Sequence, residues 1–227
     1  FRQFIGNFHT MSRIYSEGGR LIKHLKNSKI NTVFDVGANV GQYALMLRRF
    51  GYKGKIISFE PLEKEKNILD VNMILDKKFE SHNYAIGKKN SFGKINYALN
   101  SVSSSILKIH PRHIEYNKGT ISKKKKKIVI KNLKNFKSKV EKNKTLLKLD
   151  TQGYEYEILS SAKSLIKNFK MIQLETSFRK IYYLEKSWLK SLELLEKNGF
   201  YIIDIFYGIR NSNLELMQCD LILKRFK

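Results

Sequence analysis

A chain of 227 residues, 42% of them apolar and 12% aromatic, is long enough to bury the core of one α/β domain without help from disulfides or metal. Cys219 is the only cysteine, which excludes an internal disulfide and a cysteine-based zinc cluster and fits a reducing compartment, the cytoplasm. A net charge of +24 keeps nucleic acid or another anionic surface open as a partner, although lysine scattered through an isoleucine- and asparagine-rich chain is also the mark of compositional drift, and no apolar run reaches the roughly 20 residues that span a bilayer.

Residues 1–30 read as an N-terminal helical segment, with the amphipathic stretch 18–25 placed as a lid or as packing. Residues 31–36 form a short apolar run that ends in glycine, and 43–50 then carry helical periodicity: strand, tight turn, helix. The same grammar returns at 55–60 and 62–75, with Pro61 suited to the first turn of the second helix. Such βαβα order predicts a parallel sheet. Strands are expected at about 80–86 and 93–98, followed by a variable, lysine-rich insertion at about 99–127 in which the run Lys123 to Lys127 reads as a solvated loop before the strand-like 128–130. Regular order resumes with a strand at 145–150, a helix at 155–167, a strand at 170–175 and a helix at 188–198 closed by Gly199. Two last strands, 201–207 and 214–223, are spaced for an antiparallel hairpin, and one domain is expected over 31–227.

The densest signal is Asp35-Val36-Gly37-Ala38-Asn39-Val40-Gly41, where the first strand turns into the first helix. Glycine suits a turn with positive φ, and a side chain at Gly37 is expected to fill space that a cofactor needs. Asn39 and Gln42 stand where a dinucleotide-binding G-x-G-x-x-G pattern needs glycine, and no Gly-Lys-Ser/Thr follows Gly41, so neither a dehydrogenase nor a phosphate-cradling loop is indicated. Glu60 ends the second strand 19 residues beyond Gly41, placed to accept the ribose hydroxyls of a nucleoside cofactor. Asp150 and Glu175 each end a later strand, where open α/β sheets gather ligands, and both are candidates for general base or orienting acceptor. Two carboxylates alone do not make a metal site, and none is assigned. His110 and His113 are further candidate bases, His82 is expected to pack beside the adenine region, and Tyr154, Tyr182, Tyr183 and Trp188 form either an acceptor-stacking wall or core.

The strings Val33 to Tyr43, Ser58-Phe59-Glu60-Pro61, Asn83-Tyr84-Ala85-Ile86-Gly87 and Leu147-Lys148-Leu149-Asp150-Thr151-Gln152-Gly153-Tyr154-Glu155 resemble the FkbM family of methyltransferases in content, order and spacing over about 31–224. The resemblance implies a Rossmann-like seven-stranded α/β methyltransferase fold, mostly parallel with an antiparallel C-terminal strand. It implies S-adenosylmethionine as donor and O-methylation of a sugar, a polyketide or a related small metabolite. Carried over by position, Gly37 and Gly41 line the methionine part, Glu60 holds the ribose, Asn83 or Ala85 flanks the adenine, and Asp35 and Asn39 complete the cofactor set. The motif for methylating exocyclic base nitrogens is missing, because Asp150-Thr151-Gln152-Gly153 occupies its place; RNA ribose methylation and a non-catalytic nucleic-acid-binding module remain the alternatives.

Overall fold

The computed structural model describes residues 16–111, 114 and 118–226. In chain order its principal elements are α1 (Glu17–Asn27), β1 (Thr32–Val36), α2 (Gln42–Arg49), β2 (Lys55–Phe59), α3 (Glu63–Asn72), β3 (Phe79–His82), β4 (Ala85–Gly87), β5 (Ser91–Ala98), β6 (Ser122–Asn132), β7 (Thr145–Leu149), α4 (Glu155–Ser161), α5 (Lys163–Ile166), β8 (Met171–Ser177), α6 (Trp188–Glu196), β9 (Phe200–Tyr207) and β10 (Gln218–Arg225). All five residues of β1 and of β7 are buried, as strands covered on both faces must be. Their side chains alternate between two cores: Phe34, Val36, Leu147 and Leu149 enter one, Val33 and Leu146 the other.

The seven-stranded sheet runs β3-β2-β1-β7-β8-β10-β9. The strands from β3 to β8 pair in parallel, and β10 is antiparallel to both β8 and β9, which is the expected Rossmann-like methyltransferase arrangement. The chain moves outward from β1 to β2 and β3 and later returns to β7 on the other side, so a crevice opens at the carboxyl ends of β1 and β7. In α1, Leu21, Ile22 and Leu25 are buried in the same core as Leu47 and Ile56, while Arg20 and His24 meet Asp204 of β9 at 2.9 and 3.0 Å.

The expected strand at 80–86 is two strands in different sheets, because β4 leaves β3 to pair with β6. The lysine run is not a loop: it lies within β6, which pairs antiparallel with β5 and completes a second sheet, β4-β6-β5. A strand tolerates successive lysines when their stems lie along the surface, and Lys126 Nζ sits 4.0 Å above the Tyr97 ring. The helix expected over 155–167 breaks at Ala162 into α4 and α5, and the last strand begins at Gln218 instead of 214.

Candidate functional site

At the carboxyl ends of β1, β2 and β7 lies a cavity of about 410 Å³, within the roughly 300–1,000 Å³ usual for small-molecule sites. One end is apolar, built by Leu62, Tyr84, Ile86, Ile95 and Ile106; the other is polar, built by Tyr43, Lys148, Asp150, Gln152 and Asp220. The turn from β1 to α2 forms its floor. Gly37 has φ +85°, and a Cβ there would stand 1.8 Å from the Asp150 carbonyl oxygen. The glycine is therefore required by the backbone of β7, whatever the cavity holds. Asn39 also has positive φ, and Gly41, at φ +93°, starts α2 with Leu69 packed where a side chain would go.

Glu60 lies between the two ends. Its Oε2 accepts from the Asn39 amide at 2.8 Å and its Oε1 from the Leu62 amide at 2.8 Å, so the carboxylate is clamped over the glycine turn. Burial lifts its pKa to about 7, against the lowering effect of those two N–H donors. Asn39 Nδ2 donates to Ser101 Oγ at 3.1 Å, tying the turn to the far wall of the cavity.

At the polar end Lys148 is the central charge. Its Nζ lies 3.2 Å from Asp35 Oδ1, 3.2 Å from Asp150 Oδ2 and 3.4 Å from the Gly37 carbonyl oxygen, to which it donates. Burial opposes its charge, but Asp35, Asp150 and Asp220 together hold it cationic well above the ordinary lysine range. Gln152, itself at φ +58°, donates from Nε2 to Asp150 Oδ1 at 2.8 Å and to Glu175 Oε2 at 2.9 Å, and its Oε1 accepts from the Tyr182 hydroxyl at 2.8 Å. Both oxygens of Asp150 are thus oriented, one by a cation and one by an amide.

Gly37, Asn39, Glu60, Ala85 and Asp150 all line the cavity. Asp35, Gly41, Asn83 and Glu175 stand outside its lining. Asp35 is fully buried beneath Lys148, and burial raises its carboxyl pKa against the pull of that lysine. Asn83 turns away and donates to the Glu60 carbonyl at 2.9 Å. Glu175 does not face the cleft as expected: it sits behind Gln152, and burial, followed by Asp150 and Glu155, raises its pKa well above the carboxylate range. His82 stacks on Phe59 at 5.2 Å, His110 packs against Tyr183 at 4.9 Å, and Trp188 packs edge-on against Phe178, all outside the cavity lining; His113 lies outside the described residues. Lys148, Gln152, Tyr43 and Asp220 were not singled out from the sequence. In the sequence Lys148 and Asp220 show only as polar residues within apolar strands, Gln152 as a polar residue shortly after Asp150, and Tyr43 as an aromatic in the first turn of α2. Among the described residues, no three His, Cys, Asp or Glu side chains converge as metal ligands, and no helix is long and apolar enough to cross a membrane.

A family model for the methyltransferase FkbM domain matches residues 35–202. No curated protein matches the chain. Among solved structures it is similar to magnesium protoporphyrin IX methyltransferase (ChlM) from Synechocystis PCC 6803 with bound SAH, with TM-score 0.50 and 12% identity over 97% of this chain and 84% of that one. It is also similar to Aeropyrum pernix fibrillarin in complex with S-adenosyl-L-methionine, with TM-score 0.47 and 11% identity over 86% of this chain and 67% of that one. At such identities structural likeness speaks for the fold alone, whereas the family model spans the glycine turn, Glu60 and the Asp150 block. The chain belongs to the FkbM family of S-adenosylmethionine-dependent methyltransferases.

Proposed function

We propose that this methyltransferase acts on a hydroxyl oxygen of a sugar or other small metabolite, with Asp150 as the proton acceptor. The observation that carries the reading is the placement of Asp150: a carboxylate at the end of β7, on the cavity wall, with one oxygen held by Lys148 and the other by Gln152. The cavity suits the donor in its division of character. The apolar end fits an adenine ring, Glu60 at the boundary fits ribose hydroxyls, and the acidic end fits a cationic sulfonium and ammonium. S-adenosylmethionine supplies an activated methyl group on a good leaving group, so the protein's task is alignment and proton removal. Asp150 would take the hydroxyl proton as the acceptor oxygen bonds to the methyl carbon and the methyl–sulfur bond breaks, its electron pair staying on the sulfur of the departing S-adenosylhomocysteine; Lys148 keeps the carboxylate aimed. Gly37, Gly41 and Asn83 serve by shaping the turn and the β2 end that carry the contacts, and Asp35 serves by holding Lys148.

Donor binding tests the assignment of Glu60. Its ionised form is the better acceptor for ribose hydroxyls, and its pKa stands at about 7. Affinity for S-adenosylhomocysteine, measured by calorimetric titration, should therefore rise between pH 6 and pH 8, values on either side of that pKa, and then level off. Glu60→Gln should bind more weakly and lose this pH dependence, and Glu60→Ala should lose roughly 10- to 150-fold, the equivalent of about 1.5–3 kcal/mol for bonds to a charged acceptor. Unchanged affinity in both variants removes Glu60 from the donor site.

A further inference from the structure

The charge of the molecule is divided between the two ends of its sheet. The edge formed by the carboxyl ends of the parallel strands carries Asp35, Glu60 and Asp150 at or just beneath the cavity, joined by Asp220 near the start of the antiparallel β10, with Glu175 behind Gln152. The opposite edge is predominantly basic, its cations outnumbering Asp76, Glu80 and Glu141, of which Glu80 pairs with Lys55 at 2.9 Å. Lys53 and Lys55 enter β2, Lys77 and Lys78 enter β3, Lys142 and Lys144 enter β7, and all six are exposed. The edge continues through Lys170 before β8 and Arg225 at the end of β10. Backbone bonds between neighbouring strand ends keep these cations side by side: Ile56 donates to the Lys78 carbonyl at 2.9 Å, Asn31 to that of Lys144 at 2.8 Å, and Arg225 to that of Lys170 at 2.9 Å. Strands spaced roughly 5 Å apart place adjacent cations within a Debye length of about 8–10 Å, so the edge acts as one field. Burial, reinforced by Lys224 and Arg225, pushes the Lys170 pKa down, as crowding of like charge requires.

Both corners of this edge carry exposed apolar side chains. At the β3 corner, Ile68, Val71 and Leu75 follow one another at helical spacing along and just past α3, joined by Ile74; Ile74 is 77% exposed and Leu75 92%. At the β10 corner, Phe226 is 60% exposed and makes an edge contact with Tyr201. A nucleic acid backbone rewards the cations but gains nothing from aliphatic knuckles beside them. The interface of an anionic bilayer rewards both.

We infer that this basic edge, with its apolar corners, docks on an anionic lipid bilayer and holds the methyltransferase cavity facing away from the membrane. The edge contains no residue of the cavity, so its docking is independent of which acceptor the enzyme methylates. It predicts an amphipathic surface contact in which lysines meet lipid phosphates and Ile74, Leu75 and Phe226 enter the headgroup region. The acceptor then reaches the cavity from the aqueous side.

Cosedimentation of the full chain with vesicles of phosphatidylcholine, alone or with about one third phosphatidylglycerol, tests this at physiological salt. Binding is expected only with the anionic lipid. Lys77→Gln combined with Lys78→Gln should weaken it about 30-fold, and Ile74→Asp combined with Leu75→Asp by about tenfold or more. Lys123→Gln with Lys125→Gln removes the same charge from the exposed part of β6 and should change binding by no more than about twofold if the edge is the docking surface. All variants should keep parental affinity for S-adenosylhomocysteine, which shows an intact fold. The inference is overturned if anionic vesicles are not bound or if the β6 pair matters as much as the edge pair. It is equally overturned if the Ile74/Leu75 variant binds vesicles like the parent, if the edge binds single-stranded RNA while ignoring vesicles, or if those apolar residues serve only a dimer detected by sedimentation velocity.

Discussion

Replacing Lys148 by methionine should destabilise the fold by about 3–5 kcal/mol at neutral pH, because it leaves the carboxyl of Asp35 buried with no cation beside it. The stem of methionine nearly fills the space, so the loss reports charge and not a cavity. The second half of the cycle separates the two. Asp35→Asn in the same background removes the unpaired charge and should recover much of the loss, since removing both members of a buried pair disturbs far less than removing one. The sign with pH also follows. Asp35 in the folded protein already titrates above its unfolded value of about 4, and without Lys148 it moves higher. A raised carboxyl favours folding fully only below the unfolded value and loses that contribution as pH rises through the folded one, so the deficit of Lys148→Met should be small near pH 4–5 and largest near pH 8. Urea denaturation across that range measures it. A variant as stable as the parent at pH 8 would show that the lysine is not what keeps Asp35 in the core.

The parts of the fold legible in the sequence are those fixed by local rules. The alternation of β1 and β2 with their helices, the glycines of the turn, the hairpin of β9 and β10 and the strand-end position of Glu60 and Asp150 all follow from periodicity and turn chemistry within a few residues. What stayed hidden depends on partners remote in the chain. Lys148 lies between Leu147 and Leu149 and reads as an ordinary charged position in a strand; only the pairing of β7 with β1 sets Asp35 beneath it and makes it a buried cation. The run Lys123 to Lys127 has the composition of a loop, yet its backbone finds partners along β5 from Lys94 to Tyr97. Glycine at 37 suits the turn by its positive φ, but the atom a side chain would meet is the Asp150 carbonyl oxygen just past β7, where the sequence points to a ligand. Glu175 lies within β8 close to its carboxyl end and Asp150 directly follows β7, so strand position alone points both to the cleft. Gln152, at positive φ, turns across the space between them and leaves Glu175 behind it.

That asymmetry makes the two carboxylates separable by experiment. Asp150→Asn preserves shape and much of the hydrogen bonding but cannot take a proton, so turnover at saturating donor should fall by roughly 10²–10⁴ with donor affinity nearly intact. Glu175 differs because burial, reinforced by Asp150 and Glu155, raises its pKa well above the usual value and disfavours its charged form, and because it stands behind Gln152, outside the cavity lining. A glutamine is neutral and keeps a carbonyl oxygen to accept from the Gln152 amide, so Glu175→Gln should turn over within about threefold of the parent. The Gln152 amide reaches both carboxyl groups, so Gln152→Ala should raise the Michaelis constant and lower turnover together by loosening Asp150, while Asp150→Asn affects turnover alone. The assay requires a responsive hydroxyl acceptor and a donor-binding measurement on each variant to confirm an intact cavity. Parental turnover in Asp150→Asn would remove it as the base and pass the role to Asp220, the other carboxylate on the polar wall, whose side chain is fixed by Gln173 at 2.7 Å.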